Sequence, residues 1–242
     1  MDTVKIESKG VKIIAHRGLS GLERENTNPA FVAAGNRSYF GIETDVHKTA
    51  DGKFVIIHDE TTERVSGGKY KVNVEMSNYS ALENIVLPDI NGSFIRNDIK
   101  IPLLRDYVSI CKKYEKICVL ELKNPFKKED IAEMIKEIKS LDYIDSMIFI
   151  SFSMDNCVYT RELLPDAKIQ WLVGKDVNEN DIKTLVDNHL DVDVYYPALT
   201  KEIVDYIHGL GMELNCWTCD SKEDAEKLIE MGVDYITTNI LE

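Results

Sequence analysis

Eight short apolar runs, separated for the most part by helix-like stretches, constrain this chain more than any other feature. They are Val11–Ala15, Phe40–Asp45, Ile117–Lys123, Met147–Phe152, Ile169–Val173, Val192–Tyr196, Met212–Trp217 and Asp234–Thr238. Short apolar runs bounded by turn residues read as buried strands. Between them the patterns predict helices over Pro29 to Asn36, Leu103–Tyr114 and Glu129–Ser140, one ending near Leu164, and one near Glu179–His189. Two more follow, one capped by Thr200 and one running from Ser221 to Met231. Asn28-Pro29 offers a cap and a proline at the first helical position, and Ser221-Lys222-Glu223-Asp224 resembles a capping box. Strand–helix alternation at this length predicts an α/β fold, a (β/α)₈ TIM barrel in one domain over residues 1–242. The eighth helix is missing or very short. An open doubly wound sheet seldom uses eight strands so regularly.

The rhythm breaks after the second strand. Lys53–His58 follows an Asp51-Gly52 turn and reads as an extra strand. Thr61 to Ile101 then holds Gly67-Gly68, Pro88 and Asn91-Gly92 with only short apolar pieces. A connection this long is often functional.

Charge narrows the partners. The formal net charge of −13 argues against nucleic acid, which rewards clustered Lys and Arg. An anionic substrate would need a locally positive site. Met1 to Gly10 has no apolar core of a signal segment, and no run approaches bilayer length. A cytoplasmic protein without stable membrane association is expected. Five cysteines at irregular spacing do not form a disulfide framework. Cys216-Trp217-Thr218-Cys219 could be a redox dithiol or half a zinc site, but no second pair completes one, so two small apolar residues at a strand end is the preferred reading.

The chemistry gathers at strand ends. Side chains alternate along a strand. Gly41, Glu43 and Asp45 therefore share one face, and Phe40, Ile42 and Val46 the other, which suits packing against helices. Glu121 and Lys123 share a face likewise, and His16 is in phase with Ile14. His58 closes the extra strand. Three acids and two histidines at neighbouring strand ends need compensation. A cation bound by Glu43, Asp45 and Glu121 would be a hard one, Mg²⁺, Ca²⁺ or Mn²⁺. Structural ion pairs, such as Glu121 with Lys123 or Arg17, are the alternative. His16 and His58 suit a general acid and base. His47 is a decoy candidate, and His189 and His208 read as surface residues. Arg17 and Lys123 suit a phosphate, while no GxxxxGK[ST] loop is present for a nucleoside triphosphate.

These residues resemble the glycerophosphodiester phosphodiesterase family. The likeness runs through His16-Arg17-Gly18, Glu25-Asn26-Thr27 with Ala30-Phe31, Glu43-x-Asp45, Thr49-x-Asp51-Gly52, His58-Asp59, Pro102-Leu103, Glu121-Leu122-Lys123, Ser151-Phe152 and Trp217-Thr218, in the family's order. The resemblance implies a barrel with an insertion after strand two (residues 61–101) over its C-terminal face, and one divalent cation on Glu43, Asp45 and Glu121. It also implies His16 and His58 as the acid/base pair, Arg17 and Lys123 on phosphate, and Phe152 and Trp217 packing on the glycerol or alcohol. The substrate is then a small glycerophosphodiester, hydrolysed to glycerol 3-phosphate and an alcohol. A lysophospholipase D acting on lipids and a non-catalytic phosphoester-binding barrel are the alternatives. The former needs an apolar access surface in the insertion, and the latter is expected to lose a histidine or an acid.

Three positions depart from the family's usual pattern. Arg24 replaces Pro before Glu-Asn-Thr, Cys219 replaces an aliphatic residue, and Thr238-Asn239 stands in place of Thr-Asp. None is expected to touch the proposed ligands. With the truncated end, they leave substrate preference and barrel closure open.

Overall fold

The computed structural model describes residues 2–174 and 179–242. Strands β1 (Lys12–Ala15), β2 (Gly41–Lys48), β4 (Ile117–Leu122), β5 (Met147–Ser151), β6 (Lys168–Val173), β7 (Asp191–Tyr195), β8 (Leu214–Trp217) and β9 (Tyr235–Thr238) run parallel in a closed ring. The ring closes where β1 pairs with β2 through Ile14↔Gly41 and with β9 through Ile14↔Thr237. A ninth strand, β3 (Phe54–Ile56), lies outside and runs antiparallel to the end of β2. Helices α1 (Asn28–Gly35), α2 (Leu104–Lys113), α3 (Lys128–Ser140), α4 (Met154–Leu163), α5 (Glu179–Asp187), α6 (Lys201–Gly209) and α7 (Lys222–Met231) surround the ring. Among the described residues none is long and apolar enough to cross a membrane.

Strand alternation sorts the core into two layers. Ile42, Val46, Leu120 and Leu122 pack outward with Tyr107, Ile131 and Met134 of the helices. Ile14, Val119, Ile148, Ile150, Leu172 and Tyr235 fill the barrel interior. Phe40 departs from its expected place. It precedes the ladder and packs at the interior cluster, its ring 5.9 Å from that of Tyr235. The expected cap of α1 also moves. Thr27 is the capping residue, Asn28 begins the helix, and the Thr27 hydroxyl donates to the Arg24 carbonyl at 2.6 Å. Thr200 and Ser221 do accept from backbone N–H groups at their helix starts.

Residues 61–101 contain a single 3₁₀ turn, Tyr79–Ala81, and isolated bridges. Order comes instead from a separate apolar cluster in which Val65, Val74, Leu82, Ile85, Leu87, Ile99 and Ile101 close on Val55 and Ile57. Arg24 ties the segment to the loop after β1, its Nε and Nη2 donating to the carbonyls of Pro88 and Asp89 at 2.7 and 2.9 Å. Among the described residues no helix follows β9. Leu241 instead bridges to Val4, and the Glu242 carboxylate receives the backbone N–H of Ser38 at 2.9 Å and the hydroxyl of Thr3 at 2.7 Å.

Candidate active site

Each barrel strand has its C-terminal end at one face, so side chains leaving those ends converge. His16, Arg17, Glu43, His58, Glu121, Lys123, Phe152 and Trp217 line one cleft of about 100 Å³. Asp45 completes an acidic trio with Glu43 and Glu121, one oxygen from each lying within 4.8 Å of the others. All nine residues singled out from sequence therefore meet. A larger cavity of about 650 Å³ lies at the opposite end of the barrel, beside Lys12 and Tyr235, and has no such convergence.

The turn after β1 is shaped to feed this cleft. Arg17 and Gly18 are both left-handed, with φ of 52° and 75°. A side chain at Gly18 would put a Cβ 2.7 Å from Ala30, so only glycine lets the turn lie against α1. The conformation aims the Arg17 N–H at Glu43 Oε2, 2.7 Å away. The Arg17 guanidinium reaches Glu25 at 2.8 Å and Asp45 at 3.4 Å. Asn26 donates to Asp45 Oδ2 at 2.7 Å and accepts from Thr44 at 2.7 Å. Lys123 lies 2.7 Å from Glu121 and 3.4 Å from Asp45. Of the ion pairs named as an alternative, Glu121 with Lys123 is present while Arg17 turns to Glu25 and Asp45 instead, and these pairs do not satisfy the trio. Asp45 Oδ1 is buried without a hydrogen-bond partner.

The carboxylates cannot all be charged at once. Burial, then the charges of Asp45 and Glu121, push the Glu43 carboxyl well above the usual range. Burial and Asp45 likewise push Glu121 up to about 8. Burial also opposes charge on Asp45, but Lys123 and Arg17 prevail and hold it below the ordinary carboxylate range. A trio of oxygen donors with an open buried oxygen and conflicting charges suits a hard divalent cation.

The two histidines have different backing. His16 Nδ1 lies 2.8 Å from Asn239 Oδ1, while Asn239 Nδ2 donates to Asp220 at 2.6 Å. Since a carboxylate only accepts, the amide oxygen faces His16, which fixes the proton on Nδ1 and leaves Nε2 free. Burial and the Arg17 charge lower the His16 pKa to about 4. His58 Nδ1 instead meets the Asp59 carboxylate at 2.7 Å. Arg64 of the insertion holds that carboxylate at 2.7 Å and also binds Glu25 at 2.8 Å. Burial, with the charges of Arg17 and Lys123, lowers the His58 pKa, while Asp45 and Asp59 oppose. None of the sequence departures is expected to touch the proposed ligands; Asn239 reaches the site by another route, through His16.

Several supporting residues escaped the sequence reading. Asn239 is remote in sequence from His16, Asp220 lies 19 residues from Asn239, and Arg64 is near Asp59 but far from Glu25. Asn26 sits in a motif already singled out, but its partner Asp45 is visible only in three dimensions. The decoy His47 is 1% exposed, held by Glu75 at 2.9 Å and by the His58 carbonyl at 3.2 Å. His189 and His208 are exposed, as expected. Cys216 and Cys219 are buried free thiols in the apolar core. Phe152 and Trp217 meet edge to face with ring centroids 5.7 Å apart.

Comparison with known proteins points the same way. The model of the glycerophosphoryl diester phosphodiesterase family matches residues 16–242. A glycerophosphodiester phosphodiesterase of Caldanaerobacter subterraneus subsp. tengcongensis is 31% identical over 231 residues, spanning 94% of this chain and 93% of that protein. The uncharacterized protein YqiK of Bacillus subtilis is 30% identical over 235 residues, spanning 96% of both. The crystal structure of a glycerophosphodiester phosphodiesterase from Parabacteroides distasonis superposes with a TM-score of 0.78 at 27% identity, covering 99% of this chain and 94% of that one. A phosphodiesterase of Oleispira antarctica, solved with the product sn-glycerol-3-phosphate, shares the fold with a TM-score of 0.85 at 22% identity, covering 97% and 95%.

Proposed function

The chain belongs to the glycerophosphoryl diester phosphodiesterase family, a family of phosphoric diester hydrolases, and from that premise we propose that it hydrolyses small glycerophosphodiesters to glycerol 3-phosphate and an alcohol. The observation that carries the reading is the acidic trio, flanked in one cleft by two cations and two histidines.

Glu43, Asp45 and Glu121 would hold one divalent cation. When bound, it supplies positive charge to the phosphoryl oxygens as they become more negative. Arg17 and Lys123 bind the same oxygens and stabilise that charge. Water attacks phosphorus and the bond to the alcohol oxygen breaks; where the glycerol's own hydroxyl attacks first, water then opens the cyclic phosphate to glycerol 3-phosphate. His16 Nε2, unprotonated and free, takes the proton of the nucleophile. His58 gives its proton to the departing alcohol oxygen, with the Asp59 carboxylate and the charge of an incoming phosphodiester acting against the burial that lowers its pKa. Phe152 and Trp217 pack on the carbons beside the phosphate and keep water from them. A lysolipid finds less support from the relatives' names, although the insertion leaves Met76, Ile90, Phe94 and Ile95 exposed while its other apolar side chains close a core of their own.

The test is a panel of glycerophosphodiesters with Mg²⁺, Ca²⁺, Mn²⁺ or chelator, read by ³¹P NMR. Glycerol 3-phosphate should accumulate with a cation and not with chelator, and a transient cyclic phosphate would identify the glycerol hydroxyl as first nucleophile. Absence of turnover with every diester and cation would overturn the reading.

A further inference from the structure

The cleft contains one carboxyl that the chemistry above does not use. Asp193 sits in the middle of β7, between Val192 and Val194. Those two valines pack outward in the layer against the helices, so strand alternation turns Asp193 toward the barrel interior. It is 2% exposed and lines the same cleft as His16, His58, Phe152 and Trp217.

Its two oxygens are treated unequally. Oδ2 accepts a hydrogen bond from Asn215 Nδ2 at 3.1 Å. Oδ1 is buried and has no hydrogen-bond partner. The backbone carbonyl of the same residue accepts from the Trp217 indole at 3.3 Å, so Asp193 also helps fix the aromatic wall beside it. Burial, with a contribution from Glu121, pushes the carboxyl well above the usual range. A buried polar atom without a partner is costly, and in a ligand cleft the ligand is what supplies one.

We propose that Asp193 is a specificity-determining residue for the glycerol end of the substrate, its open oxygen engaging a glycerol hydroxyl while Phe152 and Trp217 flank the carbons. The proposal rests on the glycerophosphodiester reading and names what selects within it. A hydroxyl both donates and accepts, so it satisfies Asp193 whether the carboxyl is neutral or charged. A plain alkyl chain in the same place would leave that oxygen unpaired, which is the strongest way a site rejects an analogue. The preferred class is therefore phosphodiesters bearing a short polyol, not those of simple alcohols.

The test compares sn-glycerol 3-phosphate with n-propyl phosphate, which has the same carbons and no hydroxyls. Binding of each to the Mg²⁺-loaded full chain is measured by calorimetry, for the wild type, Asp193→Ala and Asp193→Asn. The wild type should prefer glycerol 3-phosphate by at least about tenfold. Asp193→Ala should lose most of that preference while its affinity for propyl phosphate holds. Asp193→Asn keeps the shape and a hydrogen-bonding group, and should keep part of the preference. It also serves if the alanine variant fails to fold. No preference in the wild type, or an equal loss for both ligands in the folded variants, overturns the assignment. Turnover of glycerophosphodiesters by a wild type without the preference removes this inference and leaves the activity. A preference that depends on Asp193, in a protein that hydrolyses no glycerophosphodiester, removes the activity and leaves this inference.

Discussion

His16 Nδ1 and Asn239 Oδ1 meet at 2.8 Å, so the residue after the last barrel strand decides which nitrogen of the first strand's histidine is free. Asp220 orients Asn239 from behind, receiving both its backbone N–H at 2.7 Å and its amide at 2.6 Å. Asn239→Leu removes the acceptor and releases the tautomer. Its kcat should fall by about tenfold to a hundredfold, part of what a general base contributes. Asn239→Asp keeps an acceptor but adds negative charge. That charge favours the imidazolium, so the His16 pKa should rise from about 4 and the acid limb of the kcat–pH profile should move to higher pH. An unmoved limb would show that His16 is not the group titrating there.

The acidic trio gives the metal-free protein an unusual dependence on pH. Glu121 has its pKa raised from 4.5 to about 8, so above pH 4.5 the folded state keeps a proton that the unfolded state releases. Folded-state proton uptake makes stability fall as pH rises, until pH passes the folded value. His16 has its pKa lowered from 6.5 to about 4 and works the other way, losing stability as pH falls from 6.5 toward 4. The carboxyl effect therefore stands clear only between pH 6.5 and about 8. There the Tm of chelated protein should fall with rising pH. Saturating Mg²⁺ binds the ionised trio, so it should flatten the slope. Parallel melting curves with and without cation would contradict the trio as the binding site.

How legible this site was depended on where its residues lie. Glu43, Asp45 and Glu121 could be placed on one face because strand alternation is strict and both outward faces are apolar. Residues 61–101 carried no period, since their order comes from a private apolar cluster, so Arg64 gave no signal of its role. In sequence Asn239 shows as a substitution and not as a contact, because 223 positions separate it from His16 and only barrel closure joins them. Asp193 could have been found. An acid flanked by two valines in a strand has to face the side opposite them. Phe40 misled because it looks like a strand residue, whereas the ladder begins at Gly41.

The Cys216 and Cys219 pair should behave as core, not as chemistry. Burial pushes the Cys219 thiol up to about 11 and Cys216 well above its ordinary value. Thiolate is the reactive form, so native protein should react with a thiol reagent far more slowly than the five free cysteines of denatured protein. Cys219→Ala should cost some stability, about 1 kcal/mol for a small buried group, and should leave metal content and kcat unchanged. Zinc retained through dialysis and lost in that variant would reverse the assignment.

Arg64 offers a way to separate support of the site from support of the fold. Its guanidinium makes four hydrogen bonds, two to Asp59 behind His58 and two to Glu25, which also holds Arg17. The side chain is 48% exposed, and exposed ion pairs add only about 0–1 kcal/mol. Arg64→Ala should therefore lower Tm by no more than about 2–4 °C. Activity should suffer more, because both the proposed proton donor His58 and the proposed phosphate ligand Arg17 lose an anchor, and kcat/KM should fall by about tenfold or more. Arg64→Lys should not restore it, since an ammonium cannot span two carboxylates with a planar fork. Arg96 is the internal control. It also lies in the insertion and pairs with Glu23, Asp89 and Asp98, none of which holds a histidine or phosphate-facing residue. Arg96→Ala should leave kcat/KM near the wild-type value. Equal losses in the two variants would mean that the insertion acts only as a scaffold, and that the Asp59–Arg64–Glu25 link does not tune the site.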